Sequence, residues 1–343
     1  MLAGLDISDT ILRLVLLDHG RRGWRLPVRA ELPLLAGVVT DGTIQQPEQL
    51  SQLIRQLVTA TGVKVRRLTV SIPERHSFVK LLALPAGGSG TVAEQVQTTL
   101  GQDLPYAIAE VYWDWHDLHR KNSLGEELVL AGAAPKTIVD SYLQALAGAA
   151  IEAERVEIES LAIARAMFGW QTPDDTRLIL DLGRTRSNLI LLDHGIVQFT
   201  STIRYAGREL NQYIMDELRL TEEQAEKAKS LFGLDQKRGK GLLRTILLPH
   251  IEAVVDTLGQ VERFYTEHFV DHQPLSTIFL TGSGALLRGI DTELAGRIQQ
   301  SVVVQPSWMY QQLLRVDPQL PTELGYTFST AFGLAMNPLQ PRP

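Results

Sequence analysis

The stretch Asp6-Ile-Ser-Asp-Thr-Ile-Leu-Arg-Leu-Val-Leu-Leu-Asp-His-Gly20 returns as Asp181-Leu-Gly-Arg-Thr-Arg-Ser-Asn-Leu-Ile-Leu-Leu-Asp-His-Gly195, a constant 175 residues further on. Eight of the fifteen aligned positions are identical, and both copies end on Leu-Leu-Asp-His-Gly. A short apolar run precedes each Asp (Met1–Leu5 and Leu178–Leu180), and a β-like apolar run follows the polar tetrad. The pattern reads as strand, tight polar turn, strand, and then a second turn at Asp-His-Gly. One such hairpin is ordinary. Two copies half a chain apart predict two related lobes that open in the same way.

The chemistry of the motif lies in the turn after each Asp. A tight turn between strands aims successive backbone N–H groups into one concavity, which binds phosphate oxygens without a side chain. An Asp at the end of the first strand can hold a hydrated Mg²⁺ against those phosphates. Two facing copies would grip a nucleotide from both sides. In the second copy Gly183 permits close backbone approach, while Thr185, Ser187 and Asn188 offer hydrogen bonds. The first copy places Ser8 where the second has Gly183, and Asp9 puts a negative charge where a phosphate would sit. A third turn, Thr281-Gly282-Ser283-Gly284, lies between a predicted strand and a helix, where a backbone passes close to a ribose or base.

Composition sets the outer limits. At 343 residues the chain has length for about two domains of ~150 residues, and 44% hydrophobic with 21% charged residues is ordinary for a globular protein. Net charge −6 argues against a general nucleic-acid binder. Zero cysteines exclude disulfides and thiolate chemistry and fit a reducing compartment. The N-terminal apolar run is broken by Asp6, Asp9, Arg13 and Asp18, so it reads as neither signal peptide nor anchor. We expect no direct membrane insertion and a cytoplasmic location.

In chain order, residues 1–35 read as three antiparallel strands with Asp18-His-Gly20 as the first hairpin turn. Gln46–Thr61 reads as a helix stopped by Gly62, and Val63–Ile72 as a buried strand. Strands at Ser77–Leu84, Val111–Leu118 and Glu127–Ala134, with helices at Thr91–Leu100 and Pro135–Ala149, have the texture of a small α+β insertion. After the second hairpin come helices at Gly207–Leu218, at Thr221–Leu231 with Thr221 as its cap, and at Leu242–Phe269. A strand at Ser276–Leu280, a helix to about Gln299, a strand at Ser301–Gln305, a terminal helix at Thr327–Met336 and a proline-rich tail complete the chain.

Duplicated hairpins, a helical subdomain in the second half and a late Gly-Ser-Gly turn resemble the α/β, two-lobed actin-like (ribonuclease H-like duplicated) fold. The α+β insertion in the first lobe further resembles the FtsA-like branch, and within it the PilM family of type IV pilus assembly proteins. Gly4-Leu-Asp-Ile-Ser8, Leu84-Pro85, Gln102-Asp-Leu-Pro-Tyr106, Ala131–Lys136, Tyr142-Leu-Gln-Ala-Leu146, Asp181-Leu-Gly183, Ala225-Glu-Lys-Ala-Lys229 and Leu280–Gly289 carry the likeness through their order and spacing. It implies a first lobe of 1–73 with 151–172 and 320–343, an inserted subdomain and connecting helix at 74–150, a second lobe of 177–205 with 270–319, and a helical subdomain at 206–269.

The resemblance implies a site for ATP and Mg²⁺. Asp6 and Asp181 would hold the metal through water. Ser8, Thr10 and Arg13 would belong to the first phosphate turn, and Gly183, Thr185 and Asn188 to the second. Glu226 and Lys229 would approach ribose and adenine, with Gly282, Ser283 and Gly284 beneath the adenosine. Ser8 and Asp9 depart from the family pattern, which has Gly and a hydroxyl there. The function it implies is an adaptor, at most a weak ATPase. Such a protein binds the N-terminal peptide of a bitopic inner-membrane pilus protein (PilN-like) and sits at that membrane through its partner, in reach of the pilus motor ATPase. A phosphotransferase or an FtsA-like filament protein on the same fold are the rival expectations.

Other features carry less. His116 and His119 alternate within a predicted strand and have no third ligand cluster. Tyr112, Trp113 and Trp115 read as strand packing. Lys237-Arg-Gly-Lys240 reads as a solvated loop.

Overall fold

The computed structural model describes residues 1–21, 23–85, 87–171, 173–203 and 205–337. The proline-rich tail, 338–343, lies outside the described residues. The strands are β1 (Leu2–Ile7), β2 (Ile11–Gly20), β3 (Gly23–Pro33), β4 (Val39–Thr40), β5 (Thr43–Ile44), β6 (Arg67–Ile72), β7 (Phe78–Leu84), β8 (Val111–Lys121), β9 (Glu127–Pro135), β10 (Glu152–Ile158), β11 (Thr176–Leu182), β12 (Ser187–Asp193), β13 (Ile196–Ile203), β14 (Leu275–Thr281) and β15 (Ser301–Val304). The helices are α1 (Pro47–Ala60), α2 (Val92–Asp103), α3 (Lys136–Gly148), α4 (Glu159–Phe168), α5 (Gly207–Leu218), α6 (Glu222–Phe232), α7 (Leu242–His268), α8 (Ile290–Ala295), α9 (Trp308–Leu314), α10 (Leu324–Thr327) and α11 (Ser329–Met336). The chain forms two compact units. The first holds Met1–Gln171, Val197–Thr200 and Ser307–Pro343; the second holds Thr172–Ile196 and Ser201–Pro306.

The first unit is built on a sheet of order β10-β6-β1-β2-β3, in which β1, β6 and β10 run parallel and β1-β2-β3 are antiparallel. Strand β2 shows why both faces are covered. Leu12, Leu14 and Leu16 pack with Leu50, Ile54 and Leu57 of α1 and with Tyr142 and Leu146 of α3. Val15 and Leu17 point the other way, into a cluster with Met309, Leu313, Phe328 and Phe332. Each such buried side chain contributes about 2 kcal/mol of apolar transfer. Two backbones touch at the centre of the second face. A Cβ on Gly4 of β1 would stand 2.4 Å from the Ala331 carbonyl oxygen, and one on Gly333 of α11 would stand 1.8 Å from that of Ala162 in α4. Beside them the Arg165 guanidinium pairs with Glu157 and donates to the Gly333 carbonyl at 2.8 Å.

Within the same unit β7, β9 and β8 form an antiparallel sheet with its own core, Leu82, Leu84, Val96, Leu100, Val111 and Val129. Helix α2 enters it through a capping box, Thr91 Oγ1 accepting from Glu94 N–H while the Glu94 carboxylate accepts from Thr91 N–H at 2.7 Å. The second unit orders its strands β15-β14-β11-β12-β13, the same sequence of connections as the first sheet. Every residue of β12 is buried, and α5, α6 and α7 make the helical part. Thr221 caps α6 as the sequence predicted, with a capping box to Gln224.

Four local expectations are corrected. The first Asp18-His-Gly20 is no turn. There β2 runs on to Gly20, because Arg25 pairs with Asp18 at 2.7 Å and His19 meets the Trp24 ring at 4.7 Å, which extends the ladder. In the second copy His194 and Gly195 take φ of 48° and 74°, the left-handed pair of a tight hairpin turn. The helix expected to reach Gln299 ends at Ala295, before Gly296. The terminal helix is interrupted at Phe328, with φ −105° and ψ 12°. Helix α9, unforeseen, starts at the Ser307 cap, and the stretch 307–319, expected with the second lobe, packs in the first unit.

Gly333→Ala should therefore destabilise the fold by at least about 3 kcal/mol in urea unfolding, since both neighbours are backbone. Gly101→Ala, in α2 with nothing within 4 Å of the new Cβ, should stabilise it by about 0.5–1 kcal/mol.

Candidate functional site

Strand β11 delivers Asp181 to the sheet end, and the turn 183–186 follows. A Cβ on Gly183 would stand 2.1 Å from the Arg186 carbonyl oxygen, so only glycine closes this turn. The Gly183 N–H donates to Ser187 Oγ at 3.2 Å, and the Ser187 hydroxyl donates to the Tyr205 carbonyl. The next two backbone N–H groups, of Arg184 and Thr185, have no hydrogen-bond partner among the described residues. From the other side α5 grips the turn: the N–H groups of Gly207 and Arg208 donate to the carbonyls of Gly183 (3.0 Å) and Arg184 (2.8 Å).

The third turn presses on the second. Gly282, at φ +80°, would place a Cβ 2.5 Å from the Leu182 carbonyl oxygen and 2.6 Å from Asp181 Oδ1; a Cβ on Gly284 would stand 2.7 Å from Leu182 Cβ. Ser283 between them is exposed. Lys229 Nζ donates to Gly207 O (3.2 Å), Asn211 Oδ1 (2.7 Å) and Glu226 Oε2 (3.0 Å), and Asn211 Nδ2 donates to the same Glu226 oxygen at 2.6 Å. Partial burial pushes the Glu226 carboxyl up, but these hydrogen bonds and the Lys229 and Arg184 charges outweigh it and hold the group below its ordinary value. A cavity of about 820 Å³ opens here, lined by Arg184, Glu222, Glu223, Glu226, Lys227, Ser230 and Leu231. The second unit thus brings together Asp181, Gly183, Thr185, Glu226, Lys229, Gly282 and Gly284. Asn188, opposite Asp181 in the β11–β12 register, is 1% exposed.

The first copy of the motif is arranged differently. Ser8 Oγ accepts from the N–H groups of Ile11 (3.1 Å) and Thr10 (3.4 Å), its hydroxyl donates to Ile11 O (2.9 Å), and Ser8 N–H donates to the same carbonyl at 3.1 Å. Asp9 Oδ1 accepts from Gly42 N–H at 2.9 Å, in the β4–β5 hairpin that Tyr142 also holds through the Gly42 carbonyl. Asp6 is 5% exposed and faces Arg13, its cross-strand neighbour, at 3.8 Å; that guanidinium lies 5.5 Å from the Phe328 ring centre. Amides taken by Ser8 and a carboxylate beside a fixed cation do not fit a phosphate and its Mg²⁺. In the second unit the open amides, Lys229 and the adjoining cavity do fit the adenosine and phosphates of a nucleotide.

Two acidic residues that sequence reasoning missed stand at the same sheet end as Asp6. Glu74 follows β6 and Glu159 opens α4 directly after β10; the Glu74 N–H donates to Glu159 Oε2 at 3.4 Å. An acid within two residues of each strand's end was the available signal. Glu74 is 4% exposed, and burial, opposed by the Thr200 hydroxyl and reinforced by the Glu159 charge, raises its carboxyl to about 7. His116 and His119 lie on β8, where His119 sits in a bulge beside Asp117 at 3.3 Å.

The unfolded chain releases the Glu74 proton near pH 4.5, whereas the folded protein keeps it to about 7. Its contribution to stability is therefore full below 4.5 and is lost as pH rises to 7, a span of about 3 kcal/mol. Glu74→Gln should flatten the dependence of the melting temperature on pH between 5 and 8 and stabilise the protein at pH 8; thermal melts across that range check it.

No helix among the described residues is long and apolar enough to cross a membrane. Among solved structures, the chain is similar to a PilM–PilN type IV pilus biogenesis complex, with TM-score 0.82, 21% identity and 99% of both chains covered. It is also similar to the ethanolamine utilization protein EutJ from Carboxydothermus hydrogenoformans (TM-score 0.58, 17% identity, 98% of this chain and 89% of that one). MreB5 of Spiroplasma citri bound to ADP gives TM-score 0.53 at 14% identity, with 98% of each chain covered. These likenesses establish the actin-like fold. The family model for type IV pilus assembly protein PilM matches residues 4–339. With a match over nearly its whole length, the chain belongs to the PilM family of type IV pilus assembly proteins.

Proposed function

We propose that this protein is an adaptor of type IV pilus assembly that binds the N-terminal tail of a PilN-like inner-membrane partner on its first unit. It works in the cytoplasm, peripheral to the inner membrane through that partner, and couples it to the pilus motor ATPase. The observation that carries the reading is family membership over residues 4–339, together with the likeness to a solved PilM–PilN complex. The inserted subdomain at 74–150 supplies suitable chemistry. Strand β8 is an outer strand of its sheet, so its free edge offers backbone partners to an extended peptide. Tyr112 on β8 is 48% exposed, with its hydroxyl donating to Asp140 at 3.2 Å and Lys136 at 5.6 Å from its ring centre.

We further propose that the second unit holds an adenine nucleotide. The phosphates would lie at the N–H groups of Arg184 and Thr185, with Asp181 and Asn188 behind the turn. Glu226 and Lys229 would stand at the ribose, and Gly282, Ser283 and Gly284 under the adenosine. The nucleotide supplies an ordering ligand for α5, α6 and the turn; Lys229 and Glu226 fix its orientation. MreB5 of Spiroplasma citri, on the same fold, is described bound to AMPPNP (TM-score 0.52, 14% identity) and to ADP.

Fluorescence anisotropy with a labelled peptide from the N-terminus of the membrane partner tests the adaptor role. Saturable binding is expected, weakened about tenfold by Tyr112→Asp, on the scale of losing one interface anchor. A peptide that does not bind, or binds Tyr112→Asp equally well, would refute it.

A further inference from the structure

We propose that the Ser8 hydroxyl stands in for a phosphate in the first turn, so that this chain takes a nucleotide's phosphates through the second turn alone and without a divalent cation. The inference rests on the reading that the second unit holds an adenine nucleotide. The duplication supplies an internal comparison, because the two turns align residue for residue. Ser8 corresponds to Gly183, Asp9 to Arg184, Thr10 to Thr185 and Arg13 to Asn188.

The first difference is an added acceptor. Ser8 Oγ accepts from the N–H groups of Ile11 at 3.1 Å and Thr10 at 3.4 Å, the donors that a phosphate oxygen would need. Glycine at the aligned position 183 brings no such oxygen, and the N–H of Thr185, the counterpart of Thr10, has no partner among the described residues. Ser187 satisfies only Gly183, at 3.2 Å. The second difference is charge. A carboxylate, Asp9, occupies the position where the second turn has the guanidinium of Arg184, and its Oδ1 is fixed to the Gly42 N–H at 2.9 Å. It repels a polyanion at close range. The third difference concerns the cation. Asp6 is paired across the hairpin with Arg13, whose Nη1 stands 3.8 Å from Oδ2. A guanidinium on the strand supplies permanently the positive charge that Mg²⁺ would bring with a nucleotide. In the second hairpin the residue opposite Asp181 is the neutral Asn188. All three substitutions act in one direction: the first turn is complete without a ligand.

Calorimetric titration of the full chain with ADP and with ATP, in Mg²⁺ and in EDTA, tests this. Wild type, Ser8→Gly, Ser8→Ala and Ser8→Gly/Asp9→Asn are compared; Asp9→Asn keeps the acceptor for Gly42, and Ser8→Ala covers the case in which glycine impairs folding. Wild type should bind both nucleotides with affinities that change less than twofold on removing Mg²⁺. The double variant should bind ATP at least tenfold more tightly than wild type, and because Arg13 still faces Asp6 that gain should persist in EDTA. Wild-type affinity that falls tenfold in EDTA, or variants that gain nothing, would overturn the inference while leaving the second-unit site standing. Gain in the variants with no binding by wild type would reject that site and uphold the role of Ser8. If no form binds, both fail.

Discussion

Glycine-mediated contact between backbones fixes both units. In the first, α11 lies so close to β1 and α4 that Gly4 and Gly333 leave no room for a Cβ, and the buried Arg165–Glu157 pair locks the same junction. In the second, Gly282 and Gly284 let the late turn rest directly on Asp181 and Leu182. Interiors packed this tightly transmit position rather than absorb it. The end of β1 and the end of β11 are therefore held where the first residue after each strand decides what the turn can accept.

That decision differs between the copies, although eight of fifteen residues are shared. The identical residues are three strand leucines, the Asp and Thr of the turn, and the closing Asp-His-Gly. The differing ones set the chemistry: Ser8 against Gly183, Asp9 against Arg184, Arg13 against Asn188. The scaffold is shared, while in the first turn Ser8 supplies an acceptor for which the second turn has glycine. The second unit has amides without partners among the described residues near Lys229 and a cavity, and the first unit's insertion presents an outer strand edge. An adaptor needs the second of these features more than a pair of catalytic loops.

Much of this was legible in the residues. The repeat gave two related halves, and period and capping placed α1, α2, α3, α6 and α7 within a few residues, because apolar spacing and Thr caps act locally. The alternation of Val111–Leu118 placed His116 on a strand, β8, rather than a helical turn. Less was legible where tertiary contacts overrule local pattern. Asp18-His19-Gly20 and Asp193-His194-Gly195 are the same tripeptide, yet only the second turns, because Arg25 and Trp24 give the first a strand partner. Glu74 and Glu159 become a close buried pair only when β6 and β10 are placed side by side, across a sequence distance no local reading bridges. That Ser8 hydrogen-bonds its own turn required the geometry.

Site-resolved amide exchange in the unliganded protein and after saturation with ADP addresses the asymmetry of the two turns directly. The account predicts slow exchange at Thr10 and Ile11 in both states, and fast exchange at Arg184 and Thr185 that slows when ADP is added. Fast exchange at Thr10 and Ile11 that slows with ADP, or an unliganded second turn already as protected as the first, would contradict it.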